Sequence, residues 1–261
     1  SDLTQETLKW RVLKIYDDGK IDLIADPTTS TIYFAGATGY NNGVYIMHDI
    51  CEKLYSNTDH SITARSVSLE DFENNMTDAG RTARNSYDNS GNSPQYGHTN
   101  YEKWESAYTD NKYYPNIYAS ENGSGIDTEN GAVKTDGIKV TAKGSLDLTT
   151  GTSAYKQATT GLKAKQTDYT IEINSTNYGN ASSVLSQSNT YWIASRSVMF
   201  DSAFVNFGLR SADSEFKHFI RFWSNGGSPG ERCCCLRPVV QLGSDITITP
   251  STSASSDTGT P

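Results

Sequence analysis

Four cysteines and four histidines are the residues of this 261-residue chain whose types could support nucleophilic or metal chemistry. Their spacing argues against both. Cys233, Cys234 and Cys235 are consecutive, and neighbouring Cα atoms lie about 3.8 Å apart, short of the roughly 4.4–6.8 Å that a disulfide spans. Cys51 stands alone, no Cys-x-x-Cys occurs, and no histidine lies at zinc-ligand spacing from the triplet. Neither a disulfide framework nor a metal site is expected. A reactive thiol needs a neighbour that lowers its pKa, and Arg232 is the one adjacent candidate. His48 falls on the helix face opposite the apolar stripe and is expected to be solvated, while His60, His98 and His218 sit alone in polar surroundings. Gly-x-Ser-x-Gly, a phosphate loop, His-Glu-x-x-His and Gly-x-Gly-x-x-Gly before a helix are all missing. The expectation is a non-enzyme without a cofactor.

Two weaker patterns concern calcium and glycans. Asp88-Asn-Ser-Gly-Asn-Ser93 begins like a calcium loop but lacks the terminal bidentate Glu, so a plain turn is expected. Asn75, Asn122, Asn174 and Asn180 each open a glycosylation sequon; such matches arise by chance in a chain this rich in Asn, Ser and Thr.

The window from Met199 to Cys235 has a different character. Phe216, Phe219 and Phe222 alternate with Glu215, Lys217, His218 and Arg221, and Ser-Pro-Gly-Glu-Arg leads into the cysteine triplet. A core strand pair accounts for Val205, Phe207 and Leu209 but not for the rest. Aromatic and Arg side chains spaced by Ser and Gly are what a binding surface uses, rigid anchors among adaptable contacts.

The elements that would position this window can be read around it. Trp10–Tyr16 and Ile21–Ala25 flank Asp17-Asp18-Gly19-Lys20 as a hairpin, with Val12, Leu13, Ile15, Ile21, Leu23 and Ile24 expected to be buried. Gly36 to Gly43 reads as a loop. Residues 43–55 form the main amphipathic helix, placing Val44, Met47, Ile50, Cys51, Leu54 and Tyr55 on one face, where Cys51 is a small buried hydrophobe. Ser68 should cap a second short helix, with Asp71 three residues on. Short β-like runs follow at 138–141 and 169–173, then at 191–193, 205–209 and 236–242, where Pro238 argues for an edge or a bulge. Residues 1–242 read as one domain with an elaborated insertion at about 81–180, and 243–261 as a flexible Ser/Thr-rich tail.

Composition narrows the function classes. There are 22 Lys+Arg against 30 Asp+Glu, a formal net charge of −8, with 35% hydrophobic and 20% charged residues. A negative chain is a poor partner for phosphate backbones, so no nucleic acid is expected. No apolar run approaches the roughly 20 residues of a membrane helix, so no membrane insertion is expected either. The surplus of Ser, Thr, Asn, Gly and Tyr suits a loop-rich extracellular or surface protein.

Tyr191-Trp-Ile-Ala-Ser-Arg-Ser-Val198, Phe207-x-Leu-Arg210, Trp223-Ser-x-Gly-Gly227 and Leu236-Arg-Pro-Val-Val-x-Leu242 together resemble the C-terminal signature of the variable proteins of diversity-generating retroelements. Their C-type-lectin-type fold is related to that of formylglycine-generating enzymes. Trp10-Arg-Val-Leu13, Gly39–Val44, Leu54-Tyr-Ser-Asn57, Ala64-Arg-Ser66 and Tyr113-Tyr-Pro-Asn-Ile117 resemble a surface-protein domain of Firmicutes and their prophages, which often follows a type IV pilin-like helix. The resemblance implies an α+β, C-type-lectin-type fold: mixed sheets of short strands, one main helix and long loops.

It also implies a hypervariable adhesin-like module on the cell surface, on a pilus or on a virion, contacting a protein or glycan ligand, with pilus or surface assembly through such a helix. Mutagenesis at template adenines turns Asn codons into codons for Phe, Ser, Tyr, Cys, His, Arg, Gly or Pro. On that basis the ligand-binding residues are Phe200, Ser202, Phe204 and Ser211, then Phe216, His218, Phe219, Arg221 and Phe222, then Ser228, Pro229, Arg232, Cys233, Cys234 and Cys235. Trp192, Arg196, Phe207, Arg210, Trp223, Arg237 and Pro238 would be fixed frame. The alternatives are a structural pilin-like or tail-fibre subunit and, further off, an enzyme related to formylglycine generation.

Overall fold

The computed structural model describes residues 4–87, 139–140, 146–147, 169–200, 205–214, 220–224 and 231–246. Strands β1 (Trp10–Ile15) and β2 (Ile21–Ala25) form the expected antiparallel hairpin. Its turn needs a residue at positive φ, and Gly19 supplies it at +82°. After β3 (Thr31–Ala35) the chain enters α1 (Gly36–Tyr55), then β4 (Thr63–Ser66), α2 (Leu69–Asn75) and α3 (Asp78–Asn85). Two-residue strands β5 (Lys139–Val140) and β6 (Leu146–Asp147) and the short helices α4 (Ser175–Tyr178) and α5 (Ala181–Leu185) follow. The last part is all strand: β7 (Tyr191–Phe200), β8 (Val205–Ala212), β9 (Ile220–Ser224), β10 (Glu231–Cys235) and β11 (Pro238–Leu242).

These strands make two sheets, an antiparallel one ordered β1-β2-β11-β4 and a mixed one ordered β5-β6-β3-β10-β7-β8-β9. Helices and sheets together give an α+β protein. Helix α1 contacts β3, β4, β7, β8, β9 and β11, so it touches both sheets. That double contact explains why Val44, Ile46, Met47, Ile50 and Cys51 are all buried, a wider apolar surface than a one-sided amphipathic helix shows. Burial also pushes the Cys51 thiol well above its ordinary value, as expected for an inert core cysteine. The helix begins seven residues before the expected start, so the stretch read as a glycine loop is helical. At Gly43 a Cβ would lie 2.3 Å from Leu209 Cδ1 of β8; glycine here permits close helix–sheet approach.

The hairpin departs from expectation in its burial. Leu13 and Ile24 are buried, but Val12 and Ile15 are 49% and 67% exposed. β1 is an edge strand with an irregularity between Val12 and Lys14, which turns Leu13 inward and leaves its neighbours outside. Pro238 likewise does not mark an edge. It opens β11, which lies between β2 and β4, and a first strand position is one that proline tolerates.

β7 carries a second irregularity, between Ile193 and Arg196. The two residues released there, Ala194 and Ser195, bond elsewhere. Ala194 N–H donates to the Val67 carbonyl (2.8 Å), and Ser195 Oγ accepts from Leu69 N–H (2.8 Å). One orphan amide of the α2 N-terminus is thus satisfied from the neighbouring sheet. Ser68, at the expected cap, donates its own N–H to Asp71 Oδ2 at 2.8 Å.

Residues 169–173 alternate buried Tyr169, Ile171 and Ile173 with less buried Thr170 and Glu172 yet belong to neither sheet. With Tyr178 and Leu185 they pack into the same cluster as Leu13, Ile24, Phe72, Tyr191 and Val239. The C-terminal end of the elaborated middle is therefore core material. It docks on α3, where Thr77 N–H donates to the Asn177 carbonyl (2.9 Å) and a Cβ on Gly80 would lie 2.3 Å from that carbonyl oxygen. Backbone cannot step aside as a side-chain tip can. Gly80→Ala is expected to cost about 2 kcal/mol by overpacking, seen as a lower denaturant midpoint; an unchanged midpoint would show that α3 and α4 are not so closely apposed.

Candidate functional site

The window expected to bind ligand is built on the ribbon β7–β8–β9 and on β10. Phe200 ends β7 opposite Val205, Arg221 of β9 pairs with Gly208, Phe222 follows it on β9, and Arg232 of β10 pairs with Phe34. Ser202, Phe204, Phe216, His218, Phe219, Ser228 and Pro229 lie outside the described residues, in the connections between these strands. Two of those connections, β7–β8 and β9–β10, start or finish at the same end of the sheet, since Phe200 pairs with Val205 and Ser224 with Asn206. The β8–β9 connection leaves from the opposite end, where Ala212 pairs with Tyr191.

Three expected contact residues are corrected. Ser211, Cys234 and Cys235 are buried, at 1%, 2% and 9% exposure. Ser211 sits opposite Trp192 on β8, between β7 and β9, and the two cysteines sit on β10 between β3 and β7. Their burial leaves these three side chains without a surface to offer a ligand. Only Cys233 of the triplet is exposed, with its thiol directed to Thr31 Oγ1 at 2.9 Å. All four cysteines are free thiols. The calcium-like segment from Asp88 also lies outside the described residues.

Beneath the window Trp192, Arg196, Arg210, Arg237 and Pro238 of the expected frame are buried. Trp192 donates its indole N–H to the Ile32 carbonyl (2.8 Å) and meets Phe34 edge-on, ring centroids 5.2 Å apart. Arg210 lies over the Tyr169 ring at 4.9 Å. Arg237 lies over the Tyr191 ring at 4.6 Å and donates to the carbonyls of Ala25 and Leu185 (2.9 Å each) and of Val184. Burial lowers its pKa, with Tyr191 opposing.

A second polar site went unread in the sequence. A cleft of about 350 Å³ is lined by Leu13, Lys14 and Tyr16 from β1 and its turn, His48 from α1, Arg65 from β4, and Ser68, Glu70, Asp71, Asn74 and Asn75 around α2. At its base Arg65 grips Asp71 bidentately (2.6 and 2.7 Å) and reaches Asp22 at 3.2 Å. Tyr16 and Gln241 donate to Asp22 as well, at 2.9 and 3.0 Å. Burial and the bond to Asp22 push the Tyr16 phenol up to about 12. Burial opposes the charge on Arg65, but the bonds from Asp71 and Asp22 outweigh it and keep the guanidinium protonated.

His48 is not solvated as expected. Its Nδ1 accepts the Ser66 N–H at 3.2 Å, and burial, followed by the Arg65 charge, drops its pKa to about 4. The sequence carried no signal for this, because α1 is covered by β4 on a side that its own periodicity leaves polar. Comparison with protein-family models, curated proteins and solved structures returns no match. Among the described residues no His/Cys/Asp/Glu group has the arrangement of a metal site, and no helix is long and apolar enough to cross a membrane.

Proposed function

We propose that this chain is a hypervariable ligand-binding module of C-type-lectin type, displayed outside the cell, whose diversified surface is carried on β7–β10 and the connections between them. One observation carries the reading. Of the frame residues whose burial is described, Trp192, Arg196, Arg210 and Arg237 are 0% exposed and Pro238 is buried, while Cys233, within the same stretch, is open to solvent. A domain that must tolerate many surface sequences needs such a division, because core changes of even one methylene are felt and surface changes away from caps and strain seldom are. Two short-strand sheets around one main helix, joined by long connections, also suit the fold that the sequence signature implies. The corrected contact set is Phe200, Ser202, Phe204, Phe216, His218, Phe219, Arg221, Phe222, Ser228, Pro229, Arg232 and Cys233, with Ser211, Cys234 and Cys235 removed.

The test is a set of chains in which those twelve positions carry other Asn-codon products. Their melting temperatures should stay within a few degrees of the parent while binding to an array of surface proteins and glycans changes from chain to chain. Unfolding of most such chains, or binding indifferent to the twelve positions, would defeat the proposal.

A further inference from the structure

The cleft beside α2 lies outside the diversified window, and what it offers a ligand follows from which of its polar atoms are already engaged. Its buried acceptors are taken: Asp71 receives both guanidinium nitrogens of Arg65 and the Ser68 N–H, and Asp22 receives Tyr16, Arg65 and Gln241. Its donors are not. With Nδ1 of His48 accepting from Ser66, a neutral ring carries its proton on Nε2, for which no hydrogen-bond partner occurs among the described residues. The same holds for Nε–H of Arg65, whose bonds all run from its two terminal nitrogens. The Lys14 ammonium rests over the Tyr16 ring at 4.5 Å without a carboxylate partner. Lys14 and Arg65 offset the charges of the two buried carboxylates, and Glu70 is the third carboxylate beside the cleft.

We propose that this cleft is a binding site for a small carboxylate of the size of an acidic monosaccharide, its carboxylate held by Lys14, Arg65 Nε–H and His48 Nε2–H, its hydroxyls facing Asn74 and Ser68. Charge-assisted bonds from ammonium and guanidinium to carboxylate are the strong ones. A volume of about 350 Å³ lies within the range of small-molecule pockets. The assignment does not depend on the hypervariable reading, since none of its residues lies in 199–235. His48 is faced by Arg65 from β4, by Glu70 and Asp71 from α2 and by Lys14 and Tyr16 from the hairpin; a carboxylate seated among them favours the imidazolium and raises the pH at which His48 titrates.

The experiment follows the His48 imidazole by NMR while the whole chain is titrated with D-glucuronate, acetate or D-glucose. Glucuronate should move the Nε2 resonance saturably and raise the titration midpoint of His48, acetate should do so more weakly, and glucose should not. Lys14→Gln should weaken glucuronate about ten-fold, the equivalent of one charge-assisted hydrogen bond, with melting temperature unchanged. An imidazole unmoved by either carboxylate overturns the proposal, as does a glucose response equal to that of glucuronate. An acetate response equal to that of glucuronate overturns the sugar part and keeps the carboxylate.

Discussion

Arg237→Met should lower stability by about 2–3 kcal/mol. The arithmetic starts from what the guanidinium satisfies. Its three nitrogens engage the carbonyls of Ala25, Leu185 and Val184, so one side chain ties β2 to α5. Leu185 keeps a partner in the variant because the Tyr191 hydroxyl also donates to it at 2.6 Å. Val184 likewise keeps the Gln187 Nε2–H, which donates to it at 3.1 Å, so the loss falls on Ala25, and an unsatisfied buried acceptor costs about 1–3 kcal/mol. Loss of the cation–π contact with Tyr191 adds up to about 2 kcal/mol at a desolvated site. Against this, the variant no longer buries a charge, which returns part of the penalty. Arg237→Lys should recover little, since a single ammonium cannot reach three divergent carbonyls. Denaturant midpoints of the two variants decide the matter; a Met variant as stable as the parent would mean that water reaches those carbonyls.

The second large effect is acid lability through His48. The folded value is about 4 against an ordinary 6.5, so between those pH values the unfolded chain binds a proton that the folded chain does not. Stability from this group is therefore complete above about pH 6.5, declines as pH falls, and is fully lost near pH 4, a total of about 3 kcal/mol. Protonation also sets an N–H against the Ser66 amide at Nδ1. His48→Gln retains an acceptor for that amide but has no proton to gain, so its stability should fall less than the parent's from pH 6.5 to 4. Equal slopes for parent and variant would assign the acid response to the carboxylates instead.

The hairpin, the capped start of α2 and the buried Cys51 were legible because each depends on a local rule: a glycine turn, a Ser with Asp three residues on, an apolar stripe. The frame residues were legible through a signature rather than a pattern, and burial of Trp192 and Arg237 suits that reading. What escaped was set by tertiary contact. Ile46 and His48 belong to a side of α1 that looks polar until β4 lies across it. Val12 and Ile15 are apolar residues of the kind a buried hairpin uses, yet the bulge and the edge position of β1 leave them outside. Ser211, Cys234 and Cys235 belong to a randomised-looking stretch, and only the sheet order shows that their strands are interior. The cleft assembles residues from four elements up to 62 positions apart, from Asn75 back to Leu13, with no spacing to betray it.

The insertion of β11 between β2 and β4 governs how this chain can be made. Thr28 and Leu236 exchange bonds across 208 residues, and Val239 to Leu242 complete ladders begun by Ile21 to Ile24. During translation the hairpin and β4 therefore emerge with no strand to join them, and wait while everything between is synthesised. Closure entropy must be met before those contacts form, so the β1-β2-β11-β4 sheet is completed only after β11 has been synthesised. Any substitution in the intervening strands is tried by the same final step, and a defective chain is left with unpaired strand edges for proteases and chaperones to find.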